Sequence, residues 1–210
     1  MRDLNKSIVT HQVTDAAALW LDGHGFKPVE TEVPMPWYSE TKSGWIADLA
    51  AVIQPTQTEL IELKLIPRKP RWPGSAKWTE AHREKEDRWQ EVADLCLRFM
   101  TCLVEVKTSR ADFRSDHKWR TEPPADLAFL AVPKGLLKPE EWPTGWGILE
   151  WTGGSAIAYR RRPEPRVIPV DRQLRTTLSI AVRRDHHTRY ARMREWRQED
   201  RQEEKGDLRT

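Results

Sequence analysis

Apolar runs separated by charged and proline-rich stretches divide the chain into short elements. Residues 14–25, TDAAALWLDGHG, carry Ala17, Trp20 and Leu21 at helical spacing, with Thr14 placed to cap the start and Gly23 and Gly25 to stop it. Residues 26–33 alternate loosely and predict a first strand; 35–43 read as a turn. Residues 44–53, GWIADLAAVI, are apolar almost throughout, as in a strand covered on both faces, with Asp48 alone among them. The central stretch 101–119, TCLVEVKTSRADFRSDHKW, passes from an apolar run into Glu105-Val106-Lys107 and then into a helix start capped by Ser109, with Asp112 three residues on.

Further strands are predicted over 125–132, 146–151 and 155–160, the last two joined at Gly153-Gly154. Residues 133–143 read as a loop with a helical turn, and 163–169 as an extended linker. Residues 171–206 predict one long helix whose thin apolar face (Leu174, Leu178, Val182, Tyr190, Met193, Trp196) is expected to pack on the body at its start. Between the second and third strands, 54–100 reads as an insertion: a strand-like segment at 59–66, a proline- and base-rich linker at 67–73, and a helical run at 77–98 with Trp78, Trp89, Val92, Leu95 and Phe99 on one face. The order of elements is that of an α/β fold around one sheet.

A chain of 210 residues suffices for one decorated domain: a body at 1–160 and a basic extension at 161–210. No run approaches the length of a membrane span, the first residues lack a secretory core, and two cysteines make no disulfide framework, so a cytoplasmic protein away from membranes is expected. The net charge of +3 is uneven, with 15 Lys and Arg against 9 Asp and Glu from Arg160 onward. That bias suits a polyanionic partner and equally a solvated helix of mixed charge.

Strand side chains alternate, so Glu105 and Lys107 share a face. Burying them together requires compensation, and a divalent metal would supply it. Asp48 and Glu105 on adjacent strands, with the Val106 carbonyl between, offer hard oxygen ligands for Mg²⁺ or Mn²⁺, while Lys107 can orient a water or stabilise developing charge. The acid-x-Lys pattern is weak alone: it occurs five times, at 40, 62, 105, 116 and 203. Glu62-x-Lys64 is the serious rival; Glu105 is preferred because a capped helix follows it. Glu30 and Glu32 on the first strand offer a further acid, or are solvent-facing. Arg110, Arg114 and Lys118 recur every four residues as a basic stripe that suits DNA phosphates, with Asp112 and Asp116 in a parallel acidic stripe. His186-His187 read as a solvated pair, and there is no glycine-rich phosphate loop.

The stretch EVKTSRADFRSDHKW, with Asp48 in WIADLAAV, Ala131-Val132-Pro133 and Gly145-Trp146-Gly147-Ile148-Leu149, resembles the MmcB-like branch of the PD-(D/E)XK, or restriction-endonuclease-like, superfamily. The resemblance covers roughly residues 14–151. It implies an αβββαβ core with a central mixed sheet and Mg²⁺-dependent hydrolysis of DNA, in repair or mobile-element processing. Asp48, Glu105 and Val106 would bind the metal, Lys107 would serve catalysis, and Ser109, Arg110, Arg114 and Lys118 would face DNA. The long gap between Asp48 and Glu105 departs from the family's short hairpin, and the Arg-rich tail lies outside the resemblance. A nuclease fold kept only for binding nucleic acid or protein is the alternative, and a homodimer is open on either reading.

Overall fold

In the structure, a computed structural model, residues 7–35, 45–66, 68, 80, 83–84, 86–87, 89–90, 94, 99–116 and 122–207 are described; side chains at 35, 45 and 193–207 are not. The chain runs α1 (Ile8–Gly23), β1 (Val29–Met35), β2 (Trp45–Ile53), α2 (Gln57–Glu62), β3 (Met100–Val106), α3 (Arg110–Ser115), β4 (Leu127–Pro133), a 3-10 turn (Pro139–Glu141), β5 (Gly147–Gly153), β6 (Ala156–Arg161) and α4 (Val170–Asp207). The six strands form one sheet in sequence order, β1-β2-β3-β4-β5-β6. Pairs β3–β4 and β4–β5 are parallel; the other three are antiparallel. This is the mixed α/β sheet expected, and among the described residues α-β-β-β-α-β is its order once α2 is set aside as inserted.

Helix α1 covers one face. Its Val13, Ala17 and Leu21 pack with Leu49, Ala51, Cys102, Val104, Phe129 and Ala131. The other face buries Ala50, Leu103, Leu130 and Ile148 against Ile180 of α4, with Phe113 of α3 alongside. All seven residues of β3 are buried, which is why its sequence is apolar without alternation.

Several boundaries differ from the sequence reading. Helix α1 begins at Ile8, where the Ser7 hydroxyl accepts from the Thr10 amide. Thr14, expected as the cap, is buried mid-helix, its hydroxyl bonded to the Thr10 carbonyl at 2.8 Å. Phe26 belongs to the core, and β1 starts three residues later. The strand-like segment at 59–66 is helical at its start: Thr56 and Glu59 form a reciprocal capping box that launches α2. The turn at 36–43 and most of 67–98 lie outside the described residues; those described between 80 and 94 are helical, with Trp89 buried.

The largest correction concerns α4. The residues of the expected face do not pack on the body: Leu174 and Leu178 are each 64% exposed and Val182 60%. The helix instead docks through Ile180 and a set of polar residues. Thr176 and Ile180 are buried, Gln173 donates to Asp126 at 3.0 Å, and Arg183 and His187 reach β1.

Candidate active site

Strand β3 carries Glu105 near its C-terminal end, and Lys107 follows two residues later. Antiparallel pairing with β2 runs from Ile53↔Met100 to Leu49↔Val104. One further step of that register sets Asp48 opposite Glu105. Glu105 follows Leu103 by two residues and so leaves on the Leu103 face, and Lys107, two residues on again, leaves with it. On β1, Thr31↔Leu49 and Val33↔Ala47 flank Glu32, which therefore lies across from Asp48. The register thus lines up Glu32, Asp48 and Glu105 over three adjacent strands.

The local backbone is adapted to this row. The Lys107 amide bonds the Ala131 carbonyl at 3.0 Å, toward β4. The neighbouring Val106 amide points toward β2, where the Asp48 carboxylate accepts it at 2.9 Å. Asp48 thereby substitutes for a ladder carbonyl where the β2–β3 pairing ends. The Val106 carbonyl leaves its strand on the same side as its amide, beside Asp48. Glu105 is fully buried and Lys107 is 7% exposed, whereas Asp48 is half-buried.

Lys107 is held by α3. Its Nζ lies 2.8 Å from Asp116 Oδ2 and 3.4 Å from Asp112 Oδ1. Burial pulls its pKa down; the hydrogen bond to Asp116 and the charges of Asp116, Asp112 and Glu105 outweigh that, leaving it above the ordinary lysine value. Asp112 and Asp116, to which sequence reasoning assigned no role at the site, both turn to Lys107. Ser109 caps α3, accepting from the Asp112 amide at 3.1 Å. The Asp112 carboxylate turns to Lys107.

The expected basic stripe is divided. Arg110 bonds Glu141 at 2.7 Å, Arg114 is exposed, and Lys118 lies outside the described residues. Glu141 is itself held below the usual carboxylate range by the Lys138 amide and by Arg110. Glu62 is exposed at the end of α2, not on a strand, which removes it as the rival acid.

Glu32 sits at φ +52°, an uncommon conformation for a side-chain-bearing residue. Its carboxylate meets Arg183 of α4 at 3.3 Å, and Arg183 also donates to the Thr31 carbonyl. Glu30 is nearly buried and bonds His187 at 2.9 Å. So neither β1 acid is simply solvent-facing, and His187 is not part of a solvated pair.

The donor set bears on the metal. Asp48, Glu105 and the Val106 carbonyl are hard oxygens suited to Mg²⁺, which keeps several waters and needs few carboxylates. Among the described residues no group of three or more His, Cys, Asp or Glu could hold a metal ion, so the row does not converge on a cage of three acids.

The class of the protein is a mixed α/β domain, in which no described helix is long and apolar enough to cross a membrane. No protein-family model matches the chain, and a search of curated proteins gives no significant match. Among solved structures, the chain is similar to the SPO1766 protein of unknown function from Silicibacter pomeroyi, with a TM-score of 0.58 and 17% identity over 91% of this chain and 96% of that one. At that identity the likeness is one of fold.

Proposed function

We propose that this chain is a Mg²⁺-dependent deoxyribonuclease of the restriction-endonuclease-like class, acting in DNA repair or mobile-element processing. The observation that supports the reading is the hydrogen bond from the Val106 amide to the Asp48 carboxylate, with Glu105 and Lys107 on either side of Val106. Asp48, Glu105 and the Val106 carbonyl would hold the ion, and a bound Mg²⁺ would neutralise the phosphate and lower the pKa of a water. Asp48, tied to the Val106 amide, is fixed in orientation rather than free to swing. Glu105 is buried beside Lys107. Asp116 and Asp112 keep the Lys107 ammonium positively charged, which suits it to stabilise developing negative charge. Ser109, Arg110, Arg114 and Lys118 would meet the DNA backbone.

The test is nicking of supercoiled DNA. Wild type is expected to nick with Mg²⁺ or Mn²⁺ and not with chelator, and Glu105→Ala or Lys107→Ala to reduce nicking at least ~100-fold, the scale of a lost charge-stabilising group. Equal cleavage by wild type and both variants contradicts the site.

A second reading has its own observation. The ammonium of Lys107 is already engaged by two carboxylates of α3, and the acids do not form a three-ligand cage. Both suit a nuclease fold that binds nucleic acid or a protein without cutting. On that reading, calorimetry finds DNA binding that is salt-sensitive and indifferent to Mg²⁺.

A further inference from the structure

The turn that leaves α2 and the end of β6 enclose a cleft of about 450 Å³, within the size range of small-ligand sites. It is lined by Ile61, Glu62, Lys64, Ile66, Arg68 and Arg162. Ile66 belongs to the core under α1, and Ile61 packs against that core, so the cleft lies on the α1 face beside β6. Glu105 and Lys107 leave on the opposite face, from a strand three places along the sheet. The cleft is therefore separate from the candidate active site.

Its walls divide by chemistry. Ile61 and Ile66 are apolar, while at the rim three cations stand against one carboxylate. Lys64, Arg68 and Arg162 are exposed, and among the described residues neither the Lys64 ammonium nor the Arg68 guanidinium is taken up in an ion pair. Nor are those two needed to close the end of α2. The carbonyls of Glu59, Leu60 and Ile61 accept amides of residues 63–66, that of Leu63 accepts the Tyr159 hydroxyl, and that of Lys64 accepts Arg162 Nη1 at 3.0 Å. This last bond occupies one of the five N–H donors of Arg162. The backbone adds a second sign. Lys64 stands at φ +56°, just past the C-cap Leu63, where glycine is the usual residue. A side chain in that conformation has a steric cost, and such positions cluster at ligand clamps. Tyr159 and Arg162 of the neighbouring strand and its end pin the turn in place, so the cleft is preformed.

We propose that this cleft binds a small phosphate monoester with an apolar body. Two positive charges in surplus match a monoester, which carries about −1.5 to −2 at neutral pH. An arginine fork takes two phosphate oxygens at once, and a lysine adds a point charge. The isoleucine wall receives an apolar group, which inorganic phosphate lacks and the phosphates of a DNA duplex do not present. The inference does not rest on the nuclease reading.

Calorimetry with phenyl phosphate, on the full chain with chelator present, tests it. Wild type is expected to bind phenyl phosphate at least ~10-fold more tightly than inorganic phosphate or phenol. Lys64→Gly is expected to weaken binding ~10-fold, the scale of one charged hydrogen bond. Its thermal midpoint is expected to hold or rise, because glycine suits φ +56°. Arg68→Gln is expected to weaken binding and Glu62→Gln to strengthen it, while Lys107→Ala binds as wild type does. No binding at ~10 mM phenyl phosphate overturns the proposal, as does equal binding of inorganic phosphate or unchanged affinity in Lys64→Gly. Loss of binding in Lys107→Ala would move the ligand to the candidate active site, and displacement by duplex DNA would make the cleft a nucleic-acid contact; either result also overturns it.

Discussion

Asp126 shows how a single buried charge is accommodated in this molecule. It is 1% exposed at the N-terminal end of β4, and its carboxylate accepts from the Thr101 amide and hydroxyl, both at 2.8 Å, and from Gln173 of α4 at 3.0 Å. It therefore ties β3, β4 and α4 together far from the candidate site. Asp126→Ala leaves those donors unpaired, and a loss of about 2–4 kcal/mol in urea unfolding is expected; a loss under ~0.5 kcal/mol would show that water replaces the carboxylate freely. Glu105, equally buried, has Lys107 as its nearby opposite charge. The sequence could reveal that Glu105 and Lys107 share a face, because alternation is a local rule. It could not reveal that Asp112 and Asp116 fold back on Lys107, because that depends on how the turn at Thr108 and Ser109 directs α3.

At the scale of elements, the strands were the most legible part. Strands β2 to β6 are bounded by glycine, proline or charge and have apolar interiors, and each falls within a few residues of its predicted place. Segment 59–66 misled because Leu60, Leu63, Leu65 and Ile66 look strand-like in a row, whereas the Thr56–Glu59 capping box decides for helix. Helix α4 misled differently. Its spacing was correct and its direction was wrong, because periodicity defines an apolar face without saying what covers it. The turn after α2 is anchored to β6: Tyr159 donates to the Leu63 carbonyl at 2.6 Å. Burial drives the Tyr159 pKa up, Arg162 opposes it, and Cys102 adds to the rise. A tyrosine raised in this way adds no pH dependence below its unfolded value of about 10; above that, the unfolded chain ionises first and stability falls. Of the three tyrosines, ultraviolet titration should therefore find Tyr159 un-ionised until the fold opens. Tyr159→Phe should remove that alkaline component and cost about 1 kcal/mol; ionisation of all three at ordinary values would contradict this anchor.

For the whole molecule, the sheet divides the labour. One face is closed by α1 and is core throughout, while the other carries the acid row, with α3 holding Lys107 and α4 holding Glu30 and Glu32. The catalytic reading stands or falls on whether Asp48, Glu105 and the Val106 carbonyl take up a divalent ion. A crystal soaked in Mn²⁺ and measured at its absorption edge tests this most directly. The account predicts one anomalous peak within about 2.3 Å of a carboxylate oxygen of each acid and of the Val106 carbonyl, lost in Glu105→Ala. A saturated crystal with no peak between β2 and β3 would contradict it.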